Sequence, residues 1–291
     1  MNPRGPAGAA EQAERAENNG TTAGNTPEPG DRGVLVRAGE PGNGFRNLLG
    51  KENGEWTTGL SLVAHGAIWM LVVALISVAI AFVRGEMEPG YSPKQINDAG
   101  ALMFFVLASV ASVIAVVAKT QGAIIGEKQL GTAAWVLSKP ASRKAFVLAK
   151  LAVHFRWLLT VTLLLPAVVF YVLLTAVSTT PPPPLAFLGG FGILALGLLF
   201  YLSLSLLLGT VFESRGPLAG CVFGFMVAGF MIANYATWAT AAFPWLFFQS
   251  GYNLVKLGSI PPYGLISIPV TALWSILFIF LALRRFERAE L

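Results

Sequence analysis

Residues 185–212 read LAFLGGFGILALGLLFYLSLSLLLGTVF, 28 positions without one charged side chain. A hydrocarbon core about 30 Å thick is crossed by about 20 helical residues. This stretch is long enough, and it lacks the in-out alternation that a membrane strand requires. Five more apolar, uncharged runs flank it: Leu60–Val83, Ala101–Ala118, Trp157–Val177, Pro217–Ala242 and Tyr263–Leu283. The pattern predicts an all-α integral membrane protein with six transmembrane helices.

Composition points the same way. Of 291 residues, 55% are hydrophobic and 12% charged, against about 25% charged in an average soluble domain. Eight of the 15 acidic residues precede Trp56. Such a chain cannot cover a water-facing surface, which excludes an ordinary soluble enzyme. The single cysteine, Cys221, excludes an intramolecular disulfide and a Cys-based metal cluster.

Residues 1–44 are rich in Pro, Gly, Ala, Asn and Glu and predict a disordered tail, with no cleavable signal peptide. In residues 45–57, Phe45, Leu48, Leu49 and Trp56 fall near one helical face. The segment reads as an amphipathic interfacial helix or as a frayed lead-in to the first span. Residues 58–291 then form the six-helix domain.

Orientation follows from the basic residues. With the N-terminus inside, 17 of 20 Lys and Arg are cytoplasmic, which satisfies the positive-inside rule and puts both termini in the cytoplasm. The net charge of +5 is then a loop property and does not point to nucleic acid. Outside, Pro181–Pro184 is a stiff linker. The loop 243–262, with Trp245, Phe247, Phe248 and Tyr252, reads equally as an aromatic interface belt or as a segment dipping back into the membrane.

Catalytic and metal constellations are missing from the pattern. There is no H-E-x-x-H, G-x-S-x-G or Cys/His cluster, and His65 and His154 lack neighbouring carboxylates in sequence. No acidic residue lies within a run, which argues against a carboxylate proton relay. The nearest approach to a P-loop, Gly44 to Glu52, has the wrong spacing and Glu where magnesium would need Ser or Thr. The chain is expected to hold no ATPase, cofactor or metal of its own. Among polar residues in the runs, Ser203, Ser205, Asn234 and Thr237 line a pathway or bond between helices. Gly224, in a series of small residues, favours close helix approach.

The cytoplasmic loop 119–150 carries the most information. It mixes charge, exposed Trp135 and Leu137, and breakers at Gly126, Gly131 and Pro140, a composition suited to docking another protein. Ser142 is placed to cap a helix running into the third span. The order Gly126-Glu127, Gly131-Thr132, then Leu137-Ser138-x-Pro140-x-Ser142-Arg143, closed by Lys150, resembles type-2 ABC-transporter permeases. In that family the motif also lies between the second and third of six spans.

The resemblance implies a prokaryotic plasma-membrane permease, most readily an exporter. Two such subunits, identical or different, would pair, and each would dock a cytoplasmic ABC ATPase that binds ATP and Mg. It also implies a cytoplasmic coupling helix between the second and third spans and re-entrant helices in the last external loop. Carried over, Glu127, Gly131, Thr132, Ser138, Pro140, Ser142 and Arg143 become coupling residues, with Lys128 and Trp135 exposed beside them. Glu127 and Arg143 would bond the ATPase or each other, or else only brace the loop. The rival classes are an intramembrane enzyme and a non-transporting membrane scaffold.

Overall fold

The computed structural model describes residues 41–57, 60–87, 90, 92–129 and 142–288. Among them the chain is helical, with no strand. In order come α1 (Pro41–Thr57), α2 (Leu60–Met87), α3 (Pro93–Thr120), α4 (Ile125–Gln129) and α5 (Arg143–Leu158). A π-helical segment (Leu159–Leu164) joins α5 to α6 (Leu165–Ser178), and α7 (Pro184–Val211) and α8 (Arg215–Tyr235) follow. Two 3-10 turns (Thr237–Ala241 and Pro244–Leu246) lead into α9 (Phe247–Leu257) and α10 (Pro262–Arg288).

Six of these helices or continuous helical stretches are long and apolar enough to cross a membrane. The protein is therefore a multi-pass membrane protein. The boundaries differ from those read off hydrophobicity, for local reasons. α3 starts at Pro93 because Ser92 and Gln95 form a reciprocal capping box there, upstream of the apolar run. The third span is entered through α5, whose start is capped by the Ser142 hydroxyl accepting from the Ala145 N–H at 3.1 Å. That continuous stretch, Arg143–Ser178, has 36 residues, about 54 Å at 1.5 Å each, so its first turns extend past any bilayer core. The π turn lies two residues before Pro166, which cannot donate to the helical ladder, and the widened turn accommodates it. α8 ends at Tyr235 rather than Ala242, because Ala236 leaves helical geometry at φ −136°, ψ 72°.

α7 is the spine. It is the most buried span, with 56% of its window inside the bundle against 22% for α2, α8 and α10. α3, α9 and α10 all pack on it. At one end Phe104 stacks on Phe170 at 4.5 Å, and Phe187 of α7 closes the group at 5.7 Å from Phe104. Phe105 lies against two glycines: a Cβ on Gly190 would fall 2.5 Å from its ring and one on Gly251 would fall 2.7 Å from it. Those glycines let α7 and α9 approach at backbone distance around the ring.

The stretch between α8 and α10 folds back into the bundle. Phe247 meets α7 at Gly197, where an added Cβ would lie 3.3 Å from its ring. Gly197 is 13 residues into α7, about 20 Å of helix rise from Pro184. From that depth α9 climbs beside α3 and α7 to Lys256 and Gly258, which share a cleft with Lys94, near the start of α3. Its buried side holds Phe247, Ser250, Gly251 and Val255.

The small residues of α8 divide into two groups. Gly229 is buried against the Trp245 ring, with no room for a Cβ, whereas Gly220 and Gly224 face open space. Gly224 thus has no close neighbour among the described residues, so a close helix approach there would be to another subunit. Gly229→Val should lower stability by about 1–3 kcal/mol through overpacking, while Gly224→Val leaves the monomer's thermal midpoint unchanged in detergent. Equal losses for both would contradict the packing described for Trp245.

Candidate functional site

The highest concentration of charge among the described residues lies where α1, α4 and α5 meet. Lys150, on α5, is 1% exposed, and its ammonium donates to Glu52 Oε1 of α1 and Glu127 Oε1 of α4, both at 2.8 Å. Lys51 donates to the same Glu127 oxygen at 3.0 Å and lies 3.7 Å from Glu55. A buried ammonium is retained only when carboxylates stand within bonding distance, since burial of an unpaired ion costs several kcal/mol. Here one amine bonds one oxygen of each of two carboxylates from elements distant in sequence.

Aromatic groups wall this cluster. Trp56 stacks on Trp157 at 6.1 Å and meets His154 edge-on at 5.5 Å. The His154 Nδ1–H donates to the Lys150 carbonyl at 2.9 Å, which fixes its tautomer. Asn53 Oδ1 accepts from the Trp157 indole at 2.8 Å and from Arg156. His154 is thus a packed, bonded histidine. The ring of Phe146, 4.9 Å below the Lys150 ammonium, adds a cation–π contact.

Electrostatics follow from the burial. Desolvation pushes the Glu52 carboxyl above its ordinary value, with Glu55 and Glu127 adding to the rise and Lys150 opposing it. Burial pulls the Lys51 amine down, but the bonded Glu127 carboxylate overrides this and holds it above its usual range. Carboxylate oxygens of Glu52, Glu55 and Glu127 lie within 4.8 Å of one another. A divalent ion would need these oxygens as ligands, yet two ammonium groups already occupy the neighbouring space. The chemistry of the set is that of an ion-pair lattice.

The expected coupling residues separate. Glu127 points into the chain and fastens α4 to α1 and α5. Gln129 donates to the Glu213 carbonyl at 2.8 Å, and a Cβ on Gly126 would lie 3.6 Å from the Arg215 guanidinium, so α4 is also held from the α7–α8 turn. Arg143 donates to the Glu287 carbonyl at 3.0 Å, tying the start of α5 to the end of α10. Phe146 stacks on Phe286 at 5.3 Å beside it. Ser142 is a helix cap. Gly131, Thr132, Trp135, Ser138 and Pro140 lie outside the described residues, as does the side chain of Lys128. A coupling helix is accordingly not established, since α4 has only five residues.

The expected pathway residues do not converge. Ser203 and Ser205 are fully buried in α7, Ser203 bonding the Phe200 carbonyl at 2.9 Å. Asn234 is exposed and bonds back to Phe230 O at 2.6 Å. Thr237 lies in the 3-10 turn beyond the end of α8, off the helix that carries Asn234. A buried hydroxyl series does occur elsewhere, at Ser267, Thr271 and Ser275 of α10. Ser267 donates to the Phe243 carbonyl at 2.9 Å. The spacing of four residues was the available signal, concealed because isolated hydroxyls are common in membrane helices.

The family model described as a protein of unknown function (DUF2705) matches residues 67–291. The chain belongs to that family. No curated protein matches it. The resemblance to type-2 ABC-transporter permeases is therefore corrected: the matching family is DUF2705. The resemblance rested on about 27 loop residues, whose glycines, caps and proline break also serve any loop between two spans. The DUF2705 match starts at Ala67, so α1, with Lys51 and Glu52, precedes it.

Lys150→Met should destabilise the protein by about 3–5 kcal/mol, because it leaves the Glu52 carboxylate buried without its cation and Glu127 held by Lys51 in place of two ammonium groups. Adding Glu52→Gln and Glu127→Gln to it should restore part of that loss in a detergent unfolding assay. Additive losses would show that the three groups act independently. The raised carboxyl of Glu52 also sets a pH slope. The folded chain holds that proton more tightly than the unfolded chain does. Stability at this group therefore falls as pH rises from the ordinary carboxylate value through the raised one. Glu52→Gln should flatten the slope, and an unchanged slope would remove Glu52 as its source.

Proposed function

We propose that the chain is the membrane-spanning subunit of a transporter driven by a separate cytoplasmic ATPase of the ABC type, most readily an exporter. The loop between the second and third spans is its docking element. One observation carries the reading: both ends of segment 130–141 are fastened to the bundle. On the upstream side Glu127 bonds Lys150 and Lys51 at 2.8 and 3.0 Å. On the downstream side Ser142 caps α5 and Arg143 holds the end of α10. A partner that displaces either flank of the loop would therefore move α1, α5 and α10 with it. The Lys and Arg distribution supports a cytoplasmic position for this face. The folded-back α9, rising from mid-depth to the other face, supplies an element that such a movement could reposition.

The composition of the loop, charged and apolar residues mixed with breakers, suits docking of a cytoplasmic partner, and an ATPase of the ABC type that holds ATP and Mg itself would supply the drive. Transport would then require a second membrane subunit, identical or different, with one ATPase on each. The exposed side of α8 around Gly220 and Gly224 is smooth enough to receive such a subunit. The mechanical part of the reading assigns Glu127 and Arg143 to bracing and leaves docking to the loop between them.

Purification of the tagged chain from native membranes, with mass spectrometry of its companions, tests the proposal. A stoichiometric ATPase subunit is expected, and Trp135→Glu should release it while the protein stays monodisperse. Intact membrane complexes without an ATPase would overturn the reading in favour of a scaffold or an intramembrane enzyme.

A further inference from the structure

At the end of the bundle that carries α1, α7 and α10 line an open cavity of about 560 Å³, within the range of about 300–1,000 Å³ common for ligand sites. Its walls are apolar, formed by Leu207, Leu208 and Val211 of α7 and Leu281 of α10. Its polar lining is Arg284, Arg285 and Arg288 together with Thr210, whose hydroxyl donates to the Leu207 carbonyl at 2.7 Å. With Leu281, the arginines follow a spacing of three, four and seven residues, so one stripe of α10 delivers all three guanidinium groups to the same space. No carboxylate is among the described lining residues. The acidic neighbour Glu287 is taken by Lys144 at 3.2 Å.

The position of the cavity narrows the ligand. The uncharged run of α10 ends at Leu283, so the arginines stand at the boundary between apolar and polar surroundings. The cavity opens sideways: Val211 and Leu281 are 40% and 38% exposed. It continues into an apolar face of α10 through Phe280, Leu277 and Leu273, which are 55%, 41% and 66% exposed. A ligand that uses the whole surface is anionic at one end and hydrocarbon along the rest. Guanidinium forks bind phosphate oxygens in pairs, and basic pockets at such helix ends suit lipid head groups.

We infer that this cavity is a binding site for an anionic phospholipid, with its head-group phosphate among Arg284, Arg285 and Arg288 and its chains along Leu273, Leu277 and Phe280. A free phosphate shares the head-group chemistry but gains nothing from the apolar face. The site is independent of the transport reading and of which way the chain faces.

Native mass spectrometry of the full-length chain, titrated in detergent with phosphatidylglycerol or with phosphatidylcholine, tests the inference. Phosphatidylglycerol should be retained in preference. The triple variant R284Q/R285Q/R288Q should bind it roughly a hundredfold more weakly, at about fivefold for each arginine near an anionic lipid. Val211→Trp fills the apolar wall, keeps every arginine and should also weaken binding, so misfolding of the triple variant would not decide the matter. Three results would overturn the site: equal retention by the wild type and both variants; displacement of the lipid by millimolar inorganic phosphate; and an acidic protein held by the arginines in place of lipid.

Discussion

Lys150 sits almost without exposure between two carboxylates contributed by other elements, Glu52 and Glu127, each at 2.8 Å. An ammonium in that position cannot hydrate, so α1 and α4 must remain against α5 for the folded chain to tolerate it. That requirement organises one end of the molecule. It sets α1 beside the third helical stretch and directs Trp56 onto Trp157. It also fixes where the chain leaves the second span. Because the lattice pairs charges from segments far apart in sequence, it behaves as a clasp.

At the other end the constraint is steric. α7 is surrounded on several sides, and the partners approach only where glycines remove a side chain. Gly190 and Gly251 make room for Phe105, and Gly197 receives Phe247. The backbone polar groups of the folded-back stretch Thr237–Leu257 can reach membrane depth only under such cover, since lipid offers them no hydrogen bonds. Short helical pieces satisfy most of those groups internally, and packing against α3 and α7 shields the rest. Trp245 and Phe247 of this stretch are thereby buried in the bundle.

Together the two ends give a bundle with a charged clasp on one face and an inserted amphipathic helix near the other. α3, α7 and α10 connect the two regions. This arrangement joins the loop after the second span to the interior of the membrane domain through rigid helices, and that is the mechanical content of the transporter proposal. The same geometry changes the part assigned to Glu127 and Arg143. Both are engaged by the chain itself, so the proposal leaves docking to the segment between them. Membership in a family described without a function leaves the activity to be argued from such features.

Six uncharged runs of sufficient length determined the helical membrane fold, because a bilayer admits few other ways to satisfy the backbone of such segments. The cap at Ser142 and the break at Pro181–Pro183 were legible too, since each acts through its own backbone, although Pro184, expected in the linker, opens α7 because a first helical position needs no N–H donor. Helix ends were less so: the box at Ser92 and Gln95 and the break at Ala236 depend on local geometry that hydropathy does not carry. The candidate site was legible only as a list of charged residues in a loop. That Lys150 would be buried, that Glu52 would join it across 98 positions, and that three arginines of α10 would meet leucines of α7 were decided by tertiary structure. Pairing between distant side chains depends on which helices become neighbours, and hydrophobic runs of similar length and composition do not encode that order locally.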